Sequence, residues 1–247
     1  MKIGAIVQAR MGSTRLFGKV MKQINGKTVL EHVIERVRQS ALIDVIIIAT
    51  TTHAGDDVIE SQAIRCGAEV FRGSEEDVLS RYYYSAKNNN LDAVVRITSD
   101  CPLIDPKVLD EIINYYQTNE YDIVTNAGLD ALNRTYPRGL DTEVFSFRVL
   151  EYAFTNAVEK YQREHVTPYI YEKSNKIFYY KNKNDYSNYR WTLDTVEDFE
   201  LISEVYKHLY NGTHEFYMKD IVELFEHKPE LYNINAHVEQ KKLNIRD

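Results

Sequence analysis

The stretch IVQARMGSTRLFGK, residues 6–19, joins the end of an apolar segment to a loop rich in cations, and this junction decides the fold. Residues 2–7, KIGAIV, predict a short buried strand. The loop that follows contains Arg10, Arg15 and Lys19, together with two glycines. In parallel sheets, ligands bind beyond the carboxyl ends of the strands. We therefore expect a ligand with several negative charges to bind this loop.

Strand and helix patterns alternate along the chain after this junction. VIIIATT (45–51) is β-branched and apolar throughout, which favours a central parallel strand covered on both faces. TVLEHVIERVRQS (28–40) places its apolar residues on one helical face. The same rhythm predicts helices at 56–67, 74–89 and 105–119, and strands at 68–73, 92–100 and 121–127. We therefore predict an α/β fold, a mainly parallel sheet with helices on both faces.

Helix boundaries follow from residues that cap helices. Gly67 suits the carboxyl end of helix 56–67. Ser74 is the predicted N-cap of the next helix, with Asp77 three residues later. Asp105 is expected to cap a helix that has Pro106 in its first turn.

The amino-acid composition limits the classes of function that this chain can have. The 247 residues are 44% hydrophobic and 27% charged, which is typical of a globular protein with a sizeable core. A net charge of −7 argues against nucleic acid as a partner. Cys66 and Cys101 are the only cysteines, so we expect no disulfide framework and a cytoplasmic location. No stretch approaches the roughly 18 apolar residues of a membrane span, so no membrane partner is expected.

The domain organisation is predicted to be a single domain, residues 1–247. After about residue 125 the alternation loosens, with no repeat or Pro/Gly-rich linker. We interpret residues 130–185, which are rich in tyrosine, as an inserted arm that forms a dimer.

A P-loop is the first candidate for the cationic loop, and it fails in detail. Five residues, rather than four, separate Gly12 from Gly18, and Val20 follows Lys19 where that motif needs Ser or Thr. Free backbone N–H groups and three cations remain, and these are the ingredients of a triphosphate cradle. A solvated loop with scattered cations is the alternative.

Two carboxylates are candidate metal ligands. Asp100, in RITSDCPLIDP (96–106), ends a predicted strand, and Mg²⁺ prefers one or two carboxylates plus phosphate oxygens. Asp194, in RWTLDTVED (190–198), also ends a predicted strand. Either residue has the alternative role of a helix cap. Asp105 and Thr195 are better placed as caps, which leaves Asp100 and Asp194 for metal binding.

A fourth segment is YPRGLDTEVFS (136–146). Asp141 and Glu143 alternate on one face of a predicted strand, after Arg138 in a turn. This pattern fits a clamp on substrate hydroxyls, and it equally fits exposed polar alternation on an edge strand. Cys101 is interpreted as a structural residue that packs behind the site.

Five segments together carry a family resemblance. They resemble the spore-coat polysaccharide biosynthesis cytidylyltransferases (SpsF), which are similar to the enzymes that make CMP-activated 3-deoxy-manno-octulosonate and sialic acids. The resemblance runs in order from residue 2 to about 205. The segments are QARMGSTRLFGKV, RGSEEDVLSRY, RITSDCPLIDP, YPRGLDTEVFS and RWTLDTVEDFELI.

This resemblance implies a nucleotidyltransferase fold of the glycosyltransferase-A type, which is Rossmann-like, and a homodimer with 130–185 as an acceptor-binding and dimerisation insertion. It implies CMP transfer from CTP, with Mg²⁺ as cofactor, to an acidic sugar or sugar phosphate, with release of pyrophosphate. The implied catalytic residues are Arg10, Lys19, Asp100 and Asp194, the last two as metal ligands. The implied nucleotide-binding residues are Gln8, Arg10, Gly12, Ser13, Arg15, Lys19, Arg72 and Ser74, and the substrate-binding residues are Arg138, Asp141 and Glu143.

One departure from the family and two rival functions remain. Phe17 stands where the family usually has proline, so the loop lacks a fixed backbone angle. A glycosyltransferase of the same fold would usually offer an Asp-x-Asp pair, whereas SDCP has one aspartate. A nucleotide-binding module without catalytic activity is the second rival.

Overall fold

A seven-stranded mixed sheet forms the centre of the protein, for which a computed structural model describes residues 1–128 and 133–240. A separate two-stranded hairpin follows the first strand. The strands are β1 Ile3–Gln8, β2 Gln23–Ile24, β3 Lys27–Thr28, β4 Val45–Thr51, β5 Glu69–Gly73, β6 Ala93–Thr98, β7 Ile123–Thr125, β8 Glu143–Ser146 and β9 Ile177–Tyr179.

The strand order is β5-β4-β1-β6-β8-β7-β9, and β2 pairs with β3 in the hairpin. Strands β5, β4, β1 and β6 pair in parallel, and β9 pairs in parallel with β7. Only β8 among the described strands of the large sheet runs antiparallel to its neighbours, β6 and β7. The mainly parallel sheet is confirmed. The carboxyl ends of β1, β4 and β6 therefore meet at one edge.

Helices cover both faces of this sheet, as predicted. Alternate strand residues point to opposite faces, so Ala5 and Val7 join one buried cluster while Ile6 joins the other. Helices α1, α2, α4, α8 and α9 pack in the first cluster, and α3, α5 and α7 in the second. The helices are α1 Val29–Val37, α2 Asp57–Arg65, α3 Val78–Asn88, α4 Pro106–Thr118, α5 Phe147–Asn156, α6 Lys160–His165, α7 Pro168–Lys173, α8 Val196–Leu209 and α9 Met218–His227.

Most predicted helix ends are confirmed, and one is wrong. Asp105 accepts hydrogen bonds from two N–H groups in the first turn of α4, and Gly67 has a positive φ of 68° after α2. Ser74 is not the N-cap of α3. That helix begins four residues later, with Asp77 as its cap, and Ser74 Oγ accepts a hydrogen bond from the Asp77 N–H.

Residues 130–185, predicted as an inserted arm, contribute β8 and β9 to the main sheet, along with α5, α6 and α7. Residues 129–132 lie outside the described part of the chain. Of the predicted strand at 136–146, only β8 is a strand in the structure. β8 lies between β6 and β7, so the alternative of an exposed edge strand is wrong. The predicted strand at 190–194 is also wrong, because it is an extended segment with a single bridge from Arg190 to Arg138. Roles in acceptor binding and dimerisation stay predictions.

No helix in residues 1–128 and 133–240 is both long and apolar enough to cross a membrane.

Gly139 allows the turn before β8 to lie against the segment that carries Asp194. Its φ is +100°, and a Cβ at this position would lie 2.5 Å from the carbonyl carbon and oxygen of Trp191. We expect Gly139→Ala to lower the free energy of unfolding by about 3 kcal/mol or more, because positive-φ strain and a backbone clash add. Urea denaturation measures this loss.

Gly26→Ala is the matched control. Gly26 also has a positive φ, of 82°, but a Cβ there would meet nothing within 4 Å. Its loss should be limited to the strain of the left-handed backbone, about 1 kcal/mol. Equal losses in the two variants would contradict the close contact between residues 139 and 191.

Candidate functional site

A cavity of about 600 Å³ opens at the carboxyl ends of β1 and β6, where the sequence predicted a ligand. The structure brings eight predicted site residues into its wall. They are Gln8, Arg10, Gly12, Ser13, Arg15, Lys19, Asp100 and Asp194.

The cationic loop is folded, with its own hydrogen bonds. The backbone N–H groups of Ser13 and Gly18 both donate to the Met11 carbonyl, at 2.8 and 3.0 Å. The Met11 N–H donates to the Asp56 carboxylate at 2.8 Å, which ties the loop to the start of α2. Phe17, at the departure from the family pattern, is exposed. The loop therefore has a defined conformation at the edge of the cavity.

Lys19 holds the two predicted metal ligands together. Its Nζ donates to Asp100 Oδ2 at 2.7 Å, to Asp194 Oδ1 at 2.8 Å and to the Leu193 carbonyl at 2.8 Å. These three bonds use all three N–H groups of the ammonium. Burial alone would lower the pKa of Lys19, but the two carboxylates outweigh burial and raise the pKa above its usual value.

Asp100 extends from the turn after β6 and is partly buried. Thr98 Oγ1 donates to Asp100 Oδ1 at 2.5 Å. Burial raises the pKa of this carboxyl, but Lys19 and Thr98 overcome that effect, so the pKa lies below its usual value and Asp100 is ionised. Burial, together with the charge of Asp100, raises the pKa of the Cys101 thiol well above its usual range. The thiol stays protonated, which suits the structural role predicted for it.

Asp194 is surrounded by cations. Arg15 pairs with its Oδ2 at 2.8 Å, and Arg190 pairs with the same oxygen at 2.9 Å. The position of this carboxylate depends on the sequence that follows it, because Asp198 accepts a hydrogen bond from the Asp194 backbone N–H. Thr195 and Asp198 form the predicted capping pair at the start of α8.

Arg10 lies at the mouth of the cavity. It pairs with Glu75 at 2.9 Å, and its side chain is 45% exposed. Glu75 Oε2 also lies 2.7 Å from His53 Nε2. Arg10 is therefore free to turn toward a bound anion at a small cost, because exposed ion pairs are worth little.

Gln8 and Arg81 form part of the inner wall. Tyr82 Oη lies 3.2 Å from Gln8 Oε1, and also 3.2 Å from the carbonyl oxygens of Ile6 and Ile97. Arg81 is buried and donates to the Ser74 carbonyl at 2.7 Å. Sequence reasoning missed Arg81 and Glu75, although both lie within the RGSEEDVLSRY segment that carries the resemblance.

Arg72 and Ser74 are two predicted nucleotide-binding residues that do not contribute to the described cavity wall. Arg72 donates to the carbonyls of Thr51 and His53, both at 2.8 Å, and pairs with Asp57 and Glu60. Its guanidinium is committed to the end of β4 and the start of α2.

The predicted substrate clamp is also absent from the described part of the cavity wall. Glu143 is buried and pairs with Arg96 at 2.6 Å. Asp141 pairs with Arg134. Arg138 lines a separate space of about 110 Å³ beside the C-terminal segment. Alternation in the sequence cannot show these pairings, because Arg96 lies on β6 and Arg134 precedes Asp141 by seven residues in an irregular loop.

The outer wall of the cavity comes from α6, which lies in the 130–185 segment for which the resemblance implied acceptor binding, although no residue of α6 was predicted as a site residue. Lys160, Glu164 and His165 line it. Arg163 fastens α6 to the start of α3 through two hydrogen bonds to Asp77, at 2.9 and 2.8 Å. The three lining residues are polar, and they share the cavity wall with the cationic loop.

A divalent cation fits the carboxylate pair by its chemistry. Asp100 and Asp194 present hard oxygen atoms, and both already contact one positive centre, Lys19 Nζ. Across residues 1–128 and 133–240, no group of three or more His, Cys, Asp and Glu residues is arranged to hold a metal. Two carboxylates are the set that Mg²⁺ uses when phosphate oxygens and waters complete its ligands.

Comparison with known proteins identifies the family. Residues 4–242 match the sequence profile of the cytidylyltransferases. An uncharacterized protein of Methanocaldococcus jannaschii is 41% identical over 247 residues, covering 98% of this chain and 97% of that protein. The spore coat polysaccharide biosynthesis protein SpsF of Bacillus subtilis is 35% identical over 208 residues, covering 82% and 85%.

A solved structure supports the same conclusion. A cytidylyltransferase from Leptospira borgpetersenii superposes with a TM-score of 0.88 at 38% identity, and the match covers 94% of this chain and 97% of that one. The sheet, the cationic loop and the carboxylate pair described above therefore belong to a nucleotidyltransferase fold. The chain is a member of the cytidylyltransferase family and a CTP-dependent nucleotidyltransferase.

Proposed function

We propose that this enzyme transfers CMP from CTP to an acidic sugar or a sugar phosphate, with release of pyrophosphate, in surface glycan biosynthesis. The observation that carries the proposal is the arrangement around Lys19, where a cationic loop and two carboxylates share one cavity. Membership of the cytidylyltransferase family supports CTP as the donor of CMP. The named role of the Bacillus relative, in spore coat polysaccharide biosynthesis, supports the glycan setting.

The reaction is a displacement at phosphorus. A hydroxyl or phosphate oxygen of the acceptor bonds to the α-phosphorus, the bond from that phosphorus to the bridging oxygen breaks, and pyrophosphate leaves with the electron pair of that bond. A hydroxyl acceptor gives up its proton to solvent in the same step. Such displacements depend on positioning and on charge neutralisation more than on covalent chemistry by the protein. Arg10, Arg15 and Lys19 hold the triphosphate and stabilise the charge that develops on the leaving group.

Mg²⁺ is the proposed cofactor, and Asp100 and Asp194 would hold it. The ion supplies neutralisation of charge on the phosphate oxygens. On binding of the nucleotide, Lys19 and Arg15 exchange their carboxylate partners for phosphate oxygens, so the carboxylate oxygens become available. Lys160 and His165 lie on the outer wall, and we assign the acceptor to that side.

Pyrophosphate release tests the proposal. The enzyme is incubated with Mg²⁺, with each of the four nucleoside triphosphates in turn, and with a pool of acidic sugars and sugar phosphates. We expect pyrophosphate to be released with CTP, and only when the pool of acceptors is present. Dividing the pool into smaller sets then identifies the acceptor. Release with UTP alone would overturn the assigned base. Tight binding of CTP without release, across the pool, would favour a binding module.

We also propose a homodimer formed through residues 130–185. Its support is the exposure of large apolar side chains there, since Tyr152 is 60% and Val158 is 82% exposed. Light scattering at micromolar concentration should give twice the 28.9 kDa mass of the chain. A monomer at that concentration would contradict the dimer.

A further inference from the structure

The C-terminal segment, residues 228–240, lies outside every motif found in the sequence, yet it contacts the candidate site through Arg190. This arginine is nearly buried, with 7% of its side chain exposed. It pairs with Asp198 through Nε at 2.9 Å and through Nη2 at 3.0 Å. The same Nη2 donates to Asp194 Oδ2 at 2.9 Å. Arg190 therefore connects a fixed carboxylate to a proposed metal ligand.

Asp198 is the fixed end of this connection. It is fully buried, and its Oδ2 also accepts the backbone N–H groups of Asp194 and Thr195, at 2.9 and 3.0 Å. A buried carboxylate with this many donors is a stable anchor, because its charge is both paired and hydrogen-bonded.

Asn235 attaches the C-terminal segment to the anchor. Its side chain is buried, and its Nδ2 donates to the Arg190 carbonyl at 2.9 Å and to Asp198 Oδ1 at 2.8 Å. One amide therefore holds the backbone of Arg190 and the carboxylate that fixes its guanidinium. Gln240 holds the remaining side of the guanidinium, because its Oε1 accepts from Arg190 Nη1 at 2.6 Å.

This support matters most when nucleotide is bound. Asp194 is held by Lys19, Arg15 and Arg190. In the proposed reaction Lys19 and Arg15 turn to the phosphates. Arg190 cannot follow them, because its three nitrogens are engaged with Asp198, Asp194 and Gln240. Arg190 would then keep Asp194 Oδ2 in place, and Oδ1, which accepts from Lys19 here, would be available to hold a cation.

We propose that residues 228–240 are a positioning element of the active site. Asn235 and Gln240 fix Arg190, and Arg190 fixes the orientation in which Asp194 binds the divalent cation. The inference rests on the proposed function, and it gives the C-terminal segment a role in metal binding without direct contact with the metal.

The test measures metal binding directly. Mn²⁺ bound to the enzyme in the presence of CTP is titrated by electron paramagnetic resonance for the wild type, Asn235→Ala, Gln240→Ala and Gln240→Glu. Residues that orient metal ligands typically change affinity by 10-fold or more when replaced. We expect Asn235→Ala and Gln240→Ala to weaken Mn²⁺ binding about tenfold. Gln240→Glu keeps an oxygen that can accept from Arg190, so its Mn²⁺ affinity should be close to that of the wild type.

Controls separate positioning from folding. Asn233→Ala, an exposed residue of the same segment, should bind Mn²⁺ as the wild type does. Binding of CTP in EDTA should change less than twofold in every variant. If Asn235→Ala fails to fold, the comparison of Gln240→Ala with Gln240→Glu tests the inference. Unchanged Mn²⁺ binding in folded Gln240→Ala overturns the inference. Absence of Mn²⁺ binding in the wild type with CTP would instead overturn the proposed metal site, and the inference with it.

Discussion

Asp100→Ala is expected to lower kcat by about 10³-fold while the protein remains folded. Asp100 contributes to two parts of the site, since it contacts Lys19 and is a proposed ligand of Mg²⁺. Loss of one charged contact to the transition state typically costs ~10²–10³ in rate, and loss of a metal ligand adds to that. Initial rates of pyrophosphate release, measured with CTP and the acceptor, give the change.

The fold should survive this substitution because Asp100 is only partly buried, with 23% of its side chain exposed. Lys19 also keeps Asp194 and the Leu193 carbonyl as partners. Circular dichroism and thermal melting check this expectation. Asp100→Asn keeps the shape and removes the charge, so it should be nearly as inactive as the alanine variant. Turnover near the wild-type level in Asp100→Ala would rule out Asp100 as a catalytic metal ligand.

Lys19→Met is expected to change catalysis and metal binding in opposite directions. Turnover should fall by about 10²–10³-fold, because a cation that neutralises phosphate charge is lost. In the absence of nucleotide, however, Mn²⁺ should bind more tightly than to the wild type. The Lys19 ammonium contacts both carboxylates, so a metal must displace it in the wild type but not in the variant.

Two measurements check this variant. Mn²⁺ binding without nucleotide is followed by electron paramagnetic resonance. Thermal melting should show a lower melting temperature that Mg²⁺ partly restores, since the two carboxylates repel each other without a cation between them. Lys27→Met is the matched control, because Lys27 pairs with Glu31 and Glu35 away from the cavity. Weaker Mn²⁺ binding in Lys19→Met than in the wild type would contradict the exchange of cations at this site.

Topology explains why the sequence predicted the centre of the site. Segments that follow neighbouring parallel strands must meet at the same edge of the sheet. The loop after β1 and Asp100 after β6 are such segments, because β1 and β6 pair in register along their length. Asp194 was chosen for a different reason: Thr195 takes the capping role, as predicted, and Asp194 lies in the wall of the same cavity, while its role as a metal ligand stays a prediction.

The ion-pair partners of charged side chains explain what the sequence could not predict. Arg72 was assigned to the nucleotide, but α2 brings Asp57 and Glu60 within ion-pair distance of it. Glu143 was assigned to the acceptor, but Arg96 on the adjacent strand pairs with it inside the sheet. A sequence shows which side chains carry charge. Only the packing shows which opposite charge each one meets.

Short elements were the other source of error. β8 contains four residues, and the segment before Asp194 forms one bridge rather than a strand. Extended segments of this kind lack the long alternation from which strands are recognised. The proposed role of the C-terminal segment could not be predicted from the sequence either. It depends on Asn235, whose hydrogen-bond partners lie 37 and 45 residues earlier in the chain.

Transfer of labelled phosphorus is the most direct test of the central claim, that the enzyme joins the CMP part of CTP to an acceptor. The enzyme is incubated with CTP labelled at the α-phosphorus, Mg²⁺ and the acceptor found in the pyrophosphate assay, and the products are separated by chromatography. The label should appear in a product that contains both cytidine and the acceptor, in an amount equal to the pyrophosphate released. Label that remains in CTP, or that appears as CDP while the γ-phosphate moves to the acceptor, would contradict the claim.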